Sequence, residues 1–180
     1  TGKTFCAGQI LHAALREGRV GRVLILCPKR LANDKWKNEL REYFGISASV
    51  AETGIPLRKW LLGKHHSQIL ISSYDKGRRG WPENNSSTNL MDDLEANIDQ
   101  LKDVDLVIYD EIHNLIGRGE KATLRRRMAN LVSAISKSRI GLSATPYWKD
   151  ANDLKELADI IRPLAMGQDF DSMLEQQQKI

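Results

Sequence analysis

The first four residues of this chain carry side chains suited to binding phosphate and a metal ion. Thr1-Gly2-Lys3-Thr4 forms the second half of the pattern G-x-x-x-x-G-K-[ST]. In that pattern the glycine lets the backbone approach phosphate, the lysine meets phosphate oxygens, and the hydroxyl ligates magnesium. All four residues are therefore candidates for nucleotide binding, and Thr4 is a candidate magnesium ligand. Alone, however, four such residues also suit an ordinary helix start.

A second segment supplies the carboxylates that such a site needs. An apolar run at 106–109 ends in Asp110-Glu111-Ile112-His113. In phosphate-loop ATPases an acid at the end of such a strand holds magnesium, directly or through water. Adjacent carboxylates are seldom structural there, because neither is easily buried without a partner. The two segments together predict a site for ATP and Mg²⁺, with Asp110 as a metal ligand.

Composition limits the classes of protein to consider. The chain has 180 residues, of which 41% are hydrophobic and 28% charged, as expected for one compact domain. No apolar run approaches the roughly 20 residues of a membrane helix, so we expect no membrane partner. No secretory signal opens the chain, and its first residue falls inside a motif, which predicts an excised segment. Cys6 and Cys27 follow no metal spacing and are predicted to be reduced core residues of a cytosolic-type protein.

The net charge of +4 is small, but the basic residues are clustered. The clusters are Lys29-Arg30, Lys76 with Arg78-Arg79, and Arg125-Arg126-Arg127. Such clusters attract phosphate backbones, but each is equally well explained as a solvated surface. For the arginine run, a solvated helix face is the favoured interpretation.

Alternating strand and helix patterns predict an α/β fold with a parallel sheet and helices on both faces. Helices are predicted at 3–16, from Asn33 or Asp34 to 44, and at 56–62, 121–136 and 153–161. Strands are predicted at 20–27, 48–50, 68–74, 105–109 and 139–142. Residues 76–88 are predicted to form a surface loop, and 168–180 a helix that leads out of the segment.

Five segments in order resemble the motifs of superfamily 2 helicases and translocases. The phosphate loop resembles motif I, Asp110-Glu111-Ile112-His113 motif II, and Gly141-Leu142-Ser143-Ala144-Thr145-Pro146 motif III. Cys27-Pro28-Lys29-Arg30-Leu31, followed by Trp36, resembles motif Ia, and 69–74 resembles motif Ib. Within the superfamily the chain looks like the first RecA-like lobe of a Swi/Snf-type, bacterial RapA-like ATPase. The resemblance implies one RecA-like phosphate-loop domain over 1–180, without its first strand and first loop glycine.

The resemblance also implies roles for individual residues. Glu111 would be the catalytic base, acting with Lys3 and Asp110. Coupling of the nucleotide state to motif III would fall to His113, Ser143, Ala144 and Thr145. Nucleic-acid contacts would come from Pro28, Lys29, Arg30, Ser72, Ser73 and Tyr74, at strand ends on the sheet edge opposite the ATP.

The four tryptophans have different predicted environments. Trp36 and Trp60 lie at apolar helical spacings and are predicted to be core residues, although Trp36 could also stack on a base. Trp81 lies in the basic loop and is the tryptophan most suspected of contacting a partner. Trp148 follows motif III and is predicted to pack near a lobe interface.

The resemblance implies the ATP-binding lobe of a nucleic-acid translocase that moves on double-stranded DNA and remodels or displaces bound protein. The alternatives are a strand-separating helicase, the motor of a restriction or phage-defence complex, and an inactive nucleic-acid-binding scaffold. A second RecA-like lobe of the same parent chain would supply arginine fingers, so the segment alone is expected to hydrolyse ATP very poorly. The expected location is the cytoplasm, at the nucleoid in a bacterium, or the nucleus in a eukaryote.

Overall fold

A five-stranded parallel sheet forms the centre of the molecule. The computed structural model describes residues 2–78, 90–116, 120–144 and 157–161. The strands are β1 (Val23–Cys27), β2 (Ser49–Val50), β3 (Ile69–Ser73), β4 (Val104–Asp110) and β5 (Ser136–Leu142). Their order across the sheet is β2-β3-β1-β4-β5, and every adjacent pair is parallel. The predicted α/β class with a parallel sheet is confirmed.

Helical segments connect the strands. The α-helices are α1 (Lys3–Arg16), α2 (Lys29–Leu31), α3 (Asn38–Phe44), α4 (Gly54–Leu61), α5 (Leu90–Ala96) and α6 (Glu120–Ala134). A π-helix spans Ala32–Lys37, and 3₁₀ turns span Tyr74–Arg78, Ile98–Gln100 and Ile112–Leu115. Residues 157–161 are also helical. Within the described ranges, no helix is both long enough and apolar enough to cross a bilayer.

Each face of the sheet has its own hydrophobic core. On one face, alternate residues of β1 and β4 such as Ile25 and Ile108 pack with α1 and α3. On the other face, residues such as Leu24 and Val107 pack with α4, α5 and α6. Strands β1 and β3 are buried along their whole length, as expected for strands covered on both faces. The helices therefore cover both sides of the sheet, as predicted.

Gly8 allows α1 and α3 to pack closely, and Gly45 ends α3. A Cβ atom at Gly8 of α1 would overlap the ring of Phe44, which closes α3. Gly45 follows with φ 64° and ψ 18°, the left-handed conformation that commonly ends a helix. Gly45 therefore ends α3 as the sequence predicted.

The helix before α3 begins earlier than predicted. Asn33 and Asp34 were expected to cap a helix there, but both lie inside the π-helix, and helical structure already begins at Lys29. Pro28 precedes it with ψ 140° and ends β1, so the strand passes directly into the helical segment. The expectation of a cap at Asn33 or Asp34 is therefore wrong.

Helix α5 was not predicted, although the other differences are small. Its burial depends on Leu90, Met91 and Leu94, a short stripe within an otherwise acidic segment. Strand β5 begins at Ser136 rather than Arg139, because pairing with β4 extends the short apolar run. Residues 157–161 of the predicted helix at 153–161 are helical, whereas its residues 153–156, most of the basic loop at 76–88 and the segment 168–180 lie outside the described residues.

The arginine run on α6 is paired within the domain. Arg125 Nε lies 2.8 Å from Asp75 Oδ1, beside the 3₁₀ turn after β3. Arg127 lies 2.8 Å from Asp92 Oδ1 and also contacts Glu95 of α5. Arg125 and Arg127, whose side chains are 28% and 33% exposed, therefore lie at the surface and also attach α6 to its neighbours.

Asp105 joins three segments at the amino edge of the sheet. Its Oδ2 atom accepts hydrogen bonds from the N–H groups of Gly21 and Arg22 at 2.8 and 2.9 Å. Its Oδ1 atom accepts from Lys137 Nζ at 2.8 Å. The hydrogen bond from Lys137 and those from the backbone outweigh partial burial and lower the pKa of Asp105 to about 2.

We expect Asp105→Asn to lower the free energy of unfolding at pH 7 by about 1 to 2 kcal/mol. The folded-state pKa is below the unfolded one, so this contribution is present above about pH 4 and is lost as the pH falls towards 2. Urea unfolding at pH 7 and pH 3 measures the difference. Asp99→Asn, at an exposed position, is the control. An equal loss at both pH values would contradict this assignment.

Candidate active site

The Asp110 carboxylate is buried at the end of the central strand β4, where its side chain is 1% exposed. Its Oδ2 atom accepts a hydrogen bond from Trp36 Nε1 at 2.9 Å, and its Oδ1 atom accepts from the Glu111 N–H at 2.9 Å. The Tyr74 hydroxyl donates to the Asp110 main-chain carbonyl at 3.1 Å. Burial of a carboxylate is costly without such donors. These contacts fix both the backbone and the side chain of Asp110.

Glu111 has an unusual backbone conformation. Its φ is 53° and its ψ is 50°, in the left-handed region, where a non-glycine residue costs on the order of 1 kcal/mol. Asn114 supports the turn, because its main-chain and side-chain N–H groups both donate to the Glu111 carbonyl at 2.9 Å. Such conformations occur preferentially at functional sites. The turn directs the Glu111 side chain toward the start of α1.

Lys3 and Thr4 at the start of α1 lie beside these acids. Lys3 Nζ contacts Glu111 Oε1 at 3.0 Å, in an ion pair whose side chains are 18% and 21% exposed. Thr4 is 2% exposed, and its Oγ1 atom has no hydrogen-bond partner among the described residues. A buried hydroxyl without a partner is unfavourable, and a metal ion is a fitting partner for it. The surroundings of Thr4 and Asp110 therefore suit a magnesium ion, and the roles of both residues as its ligands stay predictions.

Three of the four predicted coupling residues surround Glu111. His113 Nδ1 lies 3.3 Å from Glu111 Oε2 and 3.2 Å from Ser143 Oγ. The Ala144 N–H donates to the Glu111 carboxylate. Motifs II and III are thus in direct contact, although the coupling role itself stays a prediction. Thr145, like Thr1 at the other end of the predicted site, lies outside the described residues.

The surroundings of Glu111 lower its pKa. Partial burial acts to raise it, but the hydrogen bond and charge of Lys3, the proximity of His113 and the Ala144 N–H together outweigh burial. Glu111 is therefore a carboxylate at neutral pH, as a proton acceptor must be. Among the groups that lower the pKa of Glu111, the ammonium group of Lys3 has the largest effect.

The predicted nucleic-acid contacts of motif Ib are not supported by the structure. Ser72, Ser73 and Tyr74 are 0%, 2% and 2% exposed, because β3 is covered on both faces. The Ser73 hydroxyl accepts from the Asp75 N–H at 3.1 Å, and the Tyr74 hydroxyl bonds to Asp110. These hydroxyls therefore stabilise the end of β3 and the adjacent end of β4 rather than lying open to a phosphate backbone.

The motif Ia residues, in contrast, lie at the surface. Lys29 and Arg30 are exposed at the start of α2, and Pro28 is half-buried. Half-buried Lys76 donates to the Glu52 carbonyl, and burial and repulsion from Lys29 both lower the pKa of Lys76. Lys29, Arg30 and Lys76 form a cationic surface, named here the basic edge. The side chain of Arg78 and the residues at 79–89 lie outside the described part of the chain.

The basic edge lies at the same edge of the sheet as the nucleotide site. In the parallel register, Cys27 is level with Ser73, and Leu26 is paired with Tyr109, the residue before Asp110. Carboxyl ends of parallel strands meet at one edge. The expectation that motifs Ia and Ib lie at the edge opposite the ATP is therefore wrong. The ends of β1 and β3, which carry motifs Ia and Ib, lie beside the nucleotide site along this one edge of the sheet.

Trp36 has a role that sequence reasoning missed. It was predicted to be a core residue, and it is fully buried, but it also donates to Asp110. The bond spans 74 positions of sequence, so no local pattern could indicate it. Trp60 is equally buried and donates to the Ser67 carbonyl at 2.7 Å, as expected for a core residue. Trp81 and Trp148 lie outside the described residues.

Comparisons with known proteins agree with this geometry. Residues 1–154 match the DEAD/DEAH box helicase family. RNA polymerase-associated protein RapA is 25% identical in Pseudomonas syringae pv. tomato and 27% identical in Pseudomonas fluorescens, over 81% of this chain. The chain spans only 14% of the length of these relatives.

Solved structures show the same fold. The Sulfolobus solfataricus SWI2/SNF2 ATPase core in complex with dsDNA has a TM-score of 0.63 at 20% identity, over 99% of this chain and 36% of that one. The Pyrococcus furiosus Hef helicase domain has a TM-score of 0.60 at 21% identity, over 91% of this chain and 31% of that one. The RecA-like α/β architecture is confirmed. With most of its length matching the family, this chain belongs to the DEAD/DEAH box helicases and has the features of a Swi/Snf-type lobe of superfamily 2.

Proposed function

We propose that this chain is the ATP-binding lobe of a nucleic-acid-dependent translocase that moves on double-stranded DNA and remodels or displaces bound protein. Family membership supports the coarser assignment, a nucleic-acid-dependent ATPase motor that uses nucleotide and Mg²⁺. The single observation that carries the proposal is the assembly of Lys3, Glu111, His113 and Ser143 beside Thr4 and Asp110.

Each residue has a defined task in the proposed reaction. Thr4 and Asp110 would hold magnesium, and Lys3 would donate to the β- and γ-phosphate oxygens. Glu111 would orient the attacking water and accept its proton. When bound, Mg²⁺ neutralises charge on the phosphate groups. His113, held between Glu111 and Ser143, would connect this base to motif III.

The Lys3–Glu111 ion pair gives the proposed site a resting arrangement. In this arrangement Lys3 keeps the pKa of Glu111 low, and a carboxylate with a low pKa is a weak base. Transfer of the Lys3 ammonium group to phosphate would remove that interaction and raise the proton affinity of Glu111. Nucleotide binding and activation of the base would then be one event.

Double-stranded DNA is the proposed track. The basic edge offers Lys29, Arg30 and Lys76 as contacts to phosphate, which carry no sequence information and so suit movement along any sequence. The Sulfolobus SWI2/SNF2 core was solved with dsDNA, and the RapA relatives are RNA polymerase-associated. These relatives support duplex DNA and a protein substrate, and also a location at the bacterial nucleoid.

Completion of the site by a second RecA-like lobe is part of the proposal. Arginine fingers from such a lobe would stabilise charge on the transferred phosphoryl group, so residues 1–180 alone would hydrolyse ATP very poorly. A strand-separating helicase or a restriction-complex motor would use the same site. The assembled Lys3, Thr4, Asp110 and Glu111 argue against an inactive scaffold.

The first test is the magnesium-dependent ATPase activity of the complete protein, titrated with double-stranded DNA, single-stranded DNA and RNA. We expect duplex DNA to stimulate turnover most strongly, because the proposed contacts are to the backbone of a duplex. Stimulation chiefly by single strands or RNA would instead favour the helicase alternative. Turnover that none of the three changes would overturn the nucleic-acid half of the proposal.

A second test removes the exposed cations of the basic edge. We expect Lys29→Ala with Arg30→Ala to weaken DNA binding and to reduce the slope of log K against log salt by up to about two units, about one for each lost phosphate contact. Fluorescence anisotropy with labelled duplex over a salt series measures this slope. Arg16→Ala with Lys64→Ala removes equal charge from exposed positions at the amino edge. A slope unchanged from wild type would move the contact elsewhere.

A third test isolates the proposed base. We expect Glu111→Gln to keep ATP binding, and to tighten it because Lys3 loses an anionic competitor. Turnover should fall by on the order of 100-fold or more, the scale of losing a general base. Single-turnover hydrolysis and equilibrium binding of a fluorescent ATP analogue measure the two effects. Glu42→Gln on the exposed surface of α3 is the control, and equal turnover in both variants would refute the assignment.

A further inference from the structure

Trp36 is a fully buried tryptophan whose indole N–H is directed at the predicted magnesium ligand. Its side chain is 0% exposed and packs in the core between the sheet and α1, with Cys27 and Ile108 in the same cluster. Its Nε1 atom lies 2.9 Å from Asp110 Oδ2. A buried indole N–H normally finds an acceptor, but most acceptors are neutral carbonyls. Here the acceptor is a carboxylate, and hydrogen bonds to charged groups are the stronger ones.

The indole and the Glu111 N–H together determine the orientation of the Asp110 carboxylate. The terminal torsion of an aspartate is broad, so the carboxylate plane is free to rotate unless hydrogen bonds hold it. The two N–H donors bind different oxygens, Trp36 on Oδ2 and Glu111 on Oδ1. Rotation of the plane would break both bonds inside a buried environment. The two hydrogen bonds therefore hold the carboxylate plane in one orientation.

The π-helix at Ala32–Lys37 delivers this indole to the site. It lies between α2 and α3, so the chain is helical without interruption from Lys29 to Phe44. A π-helical turn contains more residues than an α-helical one and shifts the direction of every later side chain. Such turns are rare in proteins overall, but those that occur are often found at functional sites. Trp36 lies within this turn, so the direction of its side chain depends on the larger number of residues in a π-helical turn.

We infer that Trp36 is a positioning residue for the magnesium site, which holds the Asp110 carboxylate in the orientation that binds the metal. This inference rests on the proposed function, in which Asp110 ligates Mg²⁺. Partners that hold a metal ligand typically matter 10- to 100-fold in metal affinity or activity. Because Trp36 is fully buried and its indole N–H bonds to Asp110, its loss would act through the orientation of Asp110.

Trp60 provides a matched control within the same chain. It is also 0% exposed, and its Nε1 atom also donates one hydrogen bond, to the Ser67 carbonyl at 2.7 Å. It lies in the core on the other face of the sheet, where the guanidinium of Arg22 stacks 4.1 Å from its ring centre. Trp36→Phe and Trp60→Phe each remove one fully buried indole and the one hydrogen bond that it donates, which is buried for Trp36 and partly buried for Trp60. A purely structural role for Trp36 predicts similar effects from both.

The experiment compares metal binding by wild type, Trp36→Phe and Trp60→Phe in the complete protein. Free Mn²⁺ is measured by electron paramagnetic resonance at saturating ADP, which reports metal affinity without hydrolysis. We expect the Mn²⁺ Kd to rise about 10-fold in Trp36→Phe and to stay unchanged in Trp60→Phe. The Mg²⁺ concentration for half-maximal ATPase activity should rise in parallel, with a smaller change in KM for ATP at saturating metal.

A second substitution keeps the inference testable if Trp36→Phe does not fold. Benzothienylalanine placed at position 36 replaces the indole N–H with sulfur at nearly the same shape, so the packing is kept and only the donor is lost. It should reproduce the rise in Mn²⁺ Kd. If this variant binds Mn²⁺ like wild type, the inference is overturned while the proposed function stands. If wild type with ADP binds no Mn²⁺, the proposed function fails, and the inference fails with it.

Discussion

A buried carboxylate at the end of a central strand constrains the whole arrangement of this molecule. Asp110 is almost completely removed from water, and an unpaired charge there would cost several kcal/mol. The chain meets this requirement with donors from the helical segment after β1 and from the turn after β4. Tyr74 adds a bond to the backbone from the segment after β3. The segments that follow three adjacent strands are therefore positioned by one residue.

This constraint also connects the basic edge with the proposed nucleotide site along one edge of the sheet. The continuous helical segment from Lys29 to Phe44 has exposed cations at its start and the Trp36 indole near its middle. The turn after β3 likewise joins Tyr74, which touches Asp110, to Lys76 of the basic edge. Two short stretches of chain, each ending in a hydrogen bond to Asp110, thus connect the basic edge to the proposed metal ligand. Arg125 steadies the second path through Asp75.

Much of this arrangement could be predicted from the sequence, because its signals are local. Apolar runs ending in Pro28 or Asp110 indicated β1 and β4, Lys3 and Thr4 follow the phosphate-loop pattern, and Glu111 was indicated by the resemblance to motif II. The features that the sequence did not indicate depend on distant contacts. Ser72 and Ser73 are polar, but coverage of β3 by both helical layers buries them, and the bond from Trp36 joins residues remote in sequence. Short, acidic α5 gave too weak a periodic pattern to be recognised.

In the ion pair between Lys3 and Glu111, the positive charge that would bind phosphate is neutralised by a carboxylate of the same site. A carboxylate attached to the same fold competes with incoming ligands at a high effective concentration. An anion must therefore carry enough charge in the right place to displace the Glu111 carboxylate from Lys3. Weakly charged metabolites would not displace it. The protein would pay for this selectivity with part of its affinity for nucleotide. In the proposed mechanism, Glu111 would in return stay inactive as a base until a polyphosphate bound in place of the ion pair.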